Sequence, residues 1–164
     1  MYAEVVGGPG RGAAEGGFTL IELVFVLVIA GVLLGMMFGN FKQAAAQRSA
    51  TSARDTYIWM TRRARATAIQ RGTNVQVRLA PDLARAVVAA GTGTDSIMDV
   101  RYFQADFGSA TTAPSGDSIM ICYNPRGFAT PCGPTTLPTT VTFTVQGKSA
   151  IATVQALGQV EATQ

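Results

Sequence analysis

The sequence predicts an α+β protein: one long N-terminal helix, transmembrane in its first half and amphipathic in its second, packed on an antiparallel β-sheet. Three observations carry that prediction. From Phe18 to Phe38 every residue except Glu22 is apolar, small or hydroxylic. No proline stands between Phe18 and Arg71, and after Phe41 the apolar residues gather on one helical face. Beyond Gly72 the hydrophobic period falls from 3.6 to 2, the change from helix to half-buried strand.

The first element is the apolar run, residues 18–41. A helix that crosses a membrane needs about 20 mostly apolar residues at a rise of about 1.5 Å each. A carboxylate inside such a run costs at least about 2.5–3.5 kcal/mol, so Glu22 reads as a functional group. The plainer alternative is a single-pass anchor with a stray glutamate. Gly31, Gly35 and Gly39 recur at a step of four. They fit either close helix packing or local helix weakness, since each glycine costs about 1 kcal/mol relative to alanine.

The second element continues the helix as a stripe. Ala46, Ala50, Ala53, Tyr57, Met60, Ala64 and Ala68 recur at steps of four and three, while Arg48, Arg54, Arg62, Arg65 and Gln70 lie mostly off the stripe. Gly72 reads as the stop. Then Val75, Val77 and Leu79 alternate with Gln76 and Arg78 as a first strand. Pro81-Asp82 is a turn leading to a strand at 85–89, and 91–95 is a loop. Further strands are expected at 100–103, 119–123, 141–145 and 151–154, with 157–160 closing the chain. The segments 105–117 and 131–138 read as loops, and Asn124-Pro125-Arg126-Gly127 as a turn. The threonine-rich alternation argues for an antiparallel sheet packed on the amphipathic helix.

Composition narrows the chemistry. The 164 residues allow the helix plus one small domain, and a net charge of +3 does not by itself imply nucleic acid. There is no histidine, and Cys122 and Cys132 are the only cysteines, which excludes a zinc site of the usual ligand set. The missing histidine also removes the usual base of hydrolytic triads. Gly91-Thr92-Gly93 lacks the lysine of a phosphate-binding loop, and Asp95, Asp99 and Asp106 are too irregularly spaced for an EF-hand. No enzyme activity, cofactor or metal is expected. If the domain lies outside the cytoplasm, a Cys122–Cys132 disulfide is expected around the intervening turn-rich stretch. Two buried free thiols are the alternative. A redox-active pair is disfavoured because nine residues separate the cysteines.

The stretch Gly16-Gly17-Phe18-Thr19-Leu20-Ile21-Glu22-Leu23 adds a specific signal. A secretory signal peptide places its apolar region before the cleavage site and loses it. Here the small residues precede the apolar run, so cutting after Gly17 leaves the helix on the mature chain. This arrangement resembles the prepilin leader of type IV pilins and pseudopilins, although residues 1–17 carry only Arg11 as a base and Glu15 just before the glycines. The resemblance implies cleavage between Gly17 and Phe18, methylation of the Phe18 amine, and pairing of Glu22 with the Phe18 amine of a neighbouring subunit. It implies a leader at 1–17, a transmembrane or filament-core helix half at 18–41, and a periplasmic domain at 42–164. The absence of a proline near Gly39 points to a straighter, pseudopilin-like or minor-pilin-like helix.

A second resemblance rests on shorter motifs: Arg65-Ala66-Thr67-Ala68-Ile69-Gln70-Arg71-Gly72 leading into Val75-Gln76-Val77, then Ile121-Cys122-Tyr123-Asn124-Pro125-Arg126-Gly127, and Gly158-Gln159-Val160. These look like the FimT/GspH branch of minor pilins and pseudopilins. In that branch the last motif is commonly Gly-Arg-Val followed by another basic residue, where this chain has Gln159 and Glu161. The implied function is that of a minor pseudopilin, a structural subunit of the pseudopilus of a type II secretion system. A minor pilin of a type IV pilus, in pilus biogenesis or DNA uptake, is the alternative. A non-polymerising, single-pass membrane-anchored binding module is a further one. Expected partners are other pseudopilins or pilins, the prepilin peptidase and inner-membrane lipid. Nucleic acid is not expected, because the arginines are dispersed along the sequence and the tail is acidic. The expected location is the bacterial inner membrane, with the C-terminal domain in the periplasm and extraction into a periplasmic filament.

Overall fold

The computed structural model describes residues 17–81, 84–91, 97–112, 118–133 and 135–163. The leader up to Gly16, Asp82 of the expected turn and most of the 91–95 loop lie outside the described residues. The elements in chain order are α1 (Leu20–Arg71), β1 (Val75–Ala80), β2 (Arg85–Ala90), β3 (Ile97–Tyr102), α2 (Phe103–Phe107), β4 (Ala110–Thr112), β5 (Ile119–Tyr123), β6 (Ala129–Pro131), β7 (Thr139–Val145), β8 (Lys148–Val154) and β9 (Val160–Thr163). The chain divides into two compact units, Met1–Gly39 and Asn40–Gln164.

In the first unit α1 begins immediately after Thr19. The Thr19 hydroxyl accepts a hydrogen bond from the Glu22 backbone N–H at 3.3 Å, and the Thr19 carbonyl accepts from Leu23 N–H at 3.2 Å. Thr19 is therefore the N-cap, with its side chain covering a helix-end donor that water or lipid would otherwise have to satisfy. From Leu20 to Met36 the large apolar side chains are all exposed, between 48 and 82 %. A stretch that is apolar all round has no single face to bury against one sheet. It is long and apolar enough to cross a membrane. A Cβ built on Gly31 or Gly35 would meet nothing within 4 Å, so no close packing inside this chain calls for those glycines.

In the second unit the helical stripe is buried. Ala46 is 5 % exposed and Ala50, Ala53, Tyr57, Met60, Ala64 and Ala68 are fully enclosed. Five of these seven positions are alanine. Tyr57 and Met60 fill the space that remains.

The strands form two antiparallel sheets where one was expected. One has the order β3-β2-β1-β5-β6, the other β4-β7-β8-β9. Alternation along a strand identifies its buried face but not its partner, and the partners here are set by distant contacts. β1 lies between β2 and β5, with Val77 opposite Val88 and Ile121. β7 lies between β4 and β8, with Phe143 opposite Thr111 and Ala150. Both sheets and α1 share one core, which includes Val77, Val88, Ile121, Val141, Phe143, Ala152 and Val154. Phe143 joins the layers, with ring centroids 5.6 Å from Tyr57 of α1 and 5.2 Å from Phe103 of α2.

Two local corrections follow. The 105–117 stretch, expected as loop, begins inside α2 and includes β4. A helix of five residues is too short to show a period, yet it buries Phe103 fully and ends on Gly108 at φ 63°. The closing segment at 157–160 is a turn, with Gly158 N–H donating to the Gln155 carbonyl at 2.9 Å, and the last strand follows it at Val160–Thr163.

Candidate functional site

At the N-terminal site, Gly17, Phe18 and Thr19 precede the helix, and Phe18 is exposed. The Gly17–Phe18 peptide bond therefore lies in non-helical backbone. Glu22 is exposed in the first turn of α1, near the positive end of the helix dipole. Thr19-Leu20-Ile21-Glu22 also has the spacing of a capping box. The sequence reading missed this, although the Thr-x-x-Glu spacing announces it. Glu22 thus has a local electrostatic reason to occupy its position besides any contact with another subunit.

A second site is built where the three shorter motifs meet. The Asn124 side chain nucleates its turn by accepting hydrogen bonds from the N–H groups of Arg126 and Phe128, both at 3.0 Å. This brings Gly127, at φ 82°, down onto α1. A Cβ there would stand 2.8 Å from Ile69 Cδ1 and 3.2 Å from Arg65 Nε. Gly158, at φ 78°, packs onto the same turn, and its Cβ would stand 2.5 Å from the Gly127 carbonyl oxygen and 3.1 Å from the Tyr123 ring. Each glycine is required by its backbone angle and by lack of room.

From α1, Arg62 donates to the Val160 carbonyl at 3.4 Å and Arg65 to the Gly158 carbonyl at 3.5 Å. The result is a groove of about 350 Å³ lined by Arg62, Arg65, Gly158, Gln159, Val160 and Glu161. Below it Tyr123 is enclosed; burial pushes its phenol well above its usual pKa, and the Arg65 charge opposes that only in part. The phenol is therefore neutral at physiological pH. Arg62 and Arg65, three residues apart on α1, are the two basic side chains that line this groove among the described residues. The hairpin that carries the Asn124 turn is closed by a Cys122–Cys132 bond, with Cα atoms 5.7 Å apart, and the Thr130 hydroxyl donates to the Cys122 carbonyl.

A further cluster was not foreseen. Trp59, off the buried stripe and about half exposed, has the Arg63 guanidinium 5.1 Å from its ring centre. Arg63 and Arg101 both reach Asp99, at 3.5 and 3.7 Å. The one clue in the sequence was the four-residue spacing of Trp59 and Arg63. Among the described residues no group of three acidic, cysteine or histidine side chains could hold a metal ion. The groove at Arg62 and Arg65 offers hydrogen-bond donors to a ligand, and no nucleophile with a partnering base lines it.

Comparison with known proteins matches both halves of this description. The family described as the prokaryotic N-terminal methylation motif matches residues 13–38. No curated protein matches the chain. Among solved structures, the type IV minor pilin FimU of Pseudomonas aeruginosa superimposes with a TM-score of 0.56 at 13 % identity, covering 71 % of this chain and 90 % of that one. The minor pseudopilin EpsH from the Type 2 Secretion System of Vibrio cholerae gives 0.53 at 14 % identity, covering 70 % and 96 %. At such identities the likeness is one of fold. The chain thus carries the N-terminal methylation motif over residues 13–38 and, in the rest, the fold shared by a type IV minor pilin and a minor pseudopilin.

Proposed function

We propose that this protein is a minor pseudopilin, a non-enzymatic structural subunit of the short filament of a type II secretion system. The observation that carries the reading is the methylation motif matched over residues 13–38, which takes in the stretch of α1 from Leu20 to Met36 whose large apolar side chains are all exposed. In this reading a prepilin peptidase cuts between Gly17 and Phe18, and the new Phe18 amine is methylated. Residues 18–41 then hold the chain in the inner membrane, with residues 42–164 in the periplasm. On assembly the helix leaves lipid for a dry filament core. There an amine and a carboxylate are each costly alone and tolerable together, so Glu22 would meet the Phe18 amine of a neighbour and fix the register of the subunits.

The lean toward secretion rests on Gln159 and Glu161, which stand at the Arg62–Arg65 groove where DNA-binding relatives carry basic residues. A minor pilin of a type IV pilus is the second reading, favoured by the likeness to FimU. Cross-linking in native membranes followed by co-purification tests both. Capture of the pseudopilins of a secretion system supports the first reading, and capture of pilus subunits supports the second. Recovery of the protein free of any pilin-like partner would contradict both.

A further inference from the structure

Arg62 and Arg65 sit three residues apart on α1, the spacing that puts two side chains on one helical face. Both reach the Gly158 turn and the start of β9 that follows it, and both line the same groove. Their hydrogen bonds there are to two backbone carbonyls at 3.4 and 3.5 Å, longer than the usual range of about 2.7–3.2 Å and therefore weak. Among the described residues no carboxylate lies within 4.0 Å of either guanidinium. The contrast with the Trp59 cluster is direct, because Arg63 and Arg101 there both reach Asp99. Arg65 is also partly withdrawn from water. Its Nε is buried with no hydrogen-bond acceptor, beneath the turn in which a Cβ on Gly127 would stand 3.2 Å away. Tyr123, neutral at physiological pH, supplies no countercharge to it.

A positive charge that is partly desolvated and left without a counter-ion is unfavourable, and an arriving anion relieves it. We infer that the Arg62–Arg65 groove receives a carboxylate presented by an acidic segment of a partner protein, bound across the two guanidinium groups. The planar fork of arginine suits a carboxylate, which can accept two parallel N–H bonds. The groove's size and its rim favour that partner over nucleic acid. A volume of about 350 Å³ accommodates a side chain, not a duplex. A duplex brings one negative charge per roughly 1.7 Å, so further phosphates would be forced toward Glu161, whereas a single carboxylate needs only the two arginines. The inference goes beyond the filament reading and does not require it, since it concerns one folded chain and one ligand.

The test uses the full-length chain in detergent micelles at about 0.15 M salt, an ionic strength at which weak surface attractions are largely screened. A dye-labelled tetraglutamate peptide is titrated by fluorescence anisotropy, beside tetraglutamine and a labelled DNA duplex. Tetraglutamate should bind and tetraglutamine should not. Arg62→Gln, at an exposed position, should weaken tetraglutamate binding by about tenfold, the loss of one charge-assisted hydrogen bond. Glu161→Gln should strengthen it, and Arg65→Lys, which keeps the charge but loses the fork, should weaken it. Circular dichroism melts of each variant verify that the domain remains folded. Absence of tetraglutamate binding, equal binding by the parent and Arg62→Gln, or tighter binding of the duplex than of the peptide would each overturn the inference.

Discussion

Along α1 the stretch from Leu20 to Met36 exposes its large apolar side chains, whereas the stripe from Ala46 to Ala68 is almost wholly enclosed. The more hydrophobic half is the one without a core. What decides burial inside this chain is arrangement: apolar groups on every side of a helix cannot all meet one sheet, while a stripe of alanines around Tyr57 and Met60 presents a narrow face that two sheets can cover. The exposed half is matched instead to an apolar environment supplied from outside, which is what the proposed function requires of it. The same kind of side-chain deletion should therefore destabilise the domain in one half and leave it unchanged in the other.

The largest effect is expected from Tyr57→Ala. It removes an enclosed aromatic ring that packs on Phe143, and losses of this kind cost about 3–5 kcal/mol. Phe25→Ala, a comparable deletion in the exposed half, should leave the stability of the domain unchanged. Urea unfolding in micelles, followed by the fluorescence of the single tryptophan Trp59, compares the two directly. Equal losses in both would break the contrast.

Next in size is the Cys122–Cys132 bond. Closing so short a loop restricts the unfolded chain by about 2–3 kcal/mol. Reduction should lower the urea midpoint of the domain by a corresponding amount and loosen the turn at Asn124. Thiol counting on exported, denatured, non-reduced protein should find no free thiol, and two titratable thiols would refute the assignment.

Smaller again is a glycine comparison. Gly158→Ala forces an alanine into the left-handed region, at about 1–2 kcal/mol, and drives its Cβ toward the Gly127 carbonyl. Gly31→Ala, in open space within α1, should favour the helix by about 1 kcal/mol. Opposite signs are expected, read as the urea midpoint for the first and as helicity by circular dichroism for the second. A neutral Gly158→Ala would show that the Gly158 turn is not tightly packed on the turn at Gly127.

The smallest effect on stability is expected from Glu22→Ala. Removing a first-turn acid costs the helix about 0.3–1 kcal/mol locally and should not move the melting temperature of the domain. Its expected consequence is reduced incorporation into filaments, read in cross-linked filament fractions. Equal incorporation of variant and parent would contradict the pairing of Glu22 with the Phe18 amine.

The sequence revealed α1 and its change of character because both are written in local periodicity. The strands at 75–79 and 141–145 were visible for the same reason, since every second residue faces the core. The division into two sheets was not visible. β4 pairs with β7 and β1 with β5 across long stretches of chain, and alternation carries no record of the partner. The same limit hid the arginine groove. Arg65 and Gly158 are 93 residues apart, and Arg62 and Val160 are 98 apart, so the segment that meets the two arginines could not be read from the sequence. The three motifs that meet there were each noticed, but their meeting depends on two glycines with no room for a side chain. The N-terminal methylation motif was legible because it is written in consecutive residues, while the Thr19 cap on the Glu22 N–H escaped notice.

The central claim is that the exposed half of α1 belongs to a processed, assembling subunit. Intact-mass and N-terminal mass spectrometry of the full-length protein, expressed in a host with an active prepilin peptidase, tests it most directly. The account predicts a mature chain that starts at Phe18 with a methylated amine, and a retained leader when Gly17 is replaced by a bulkier residue. A chain that keeps Met1 in that host would contradict it.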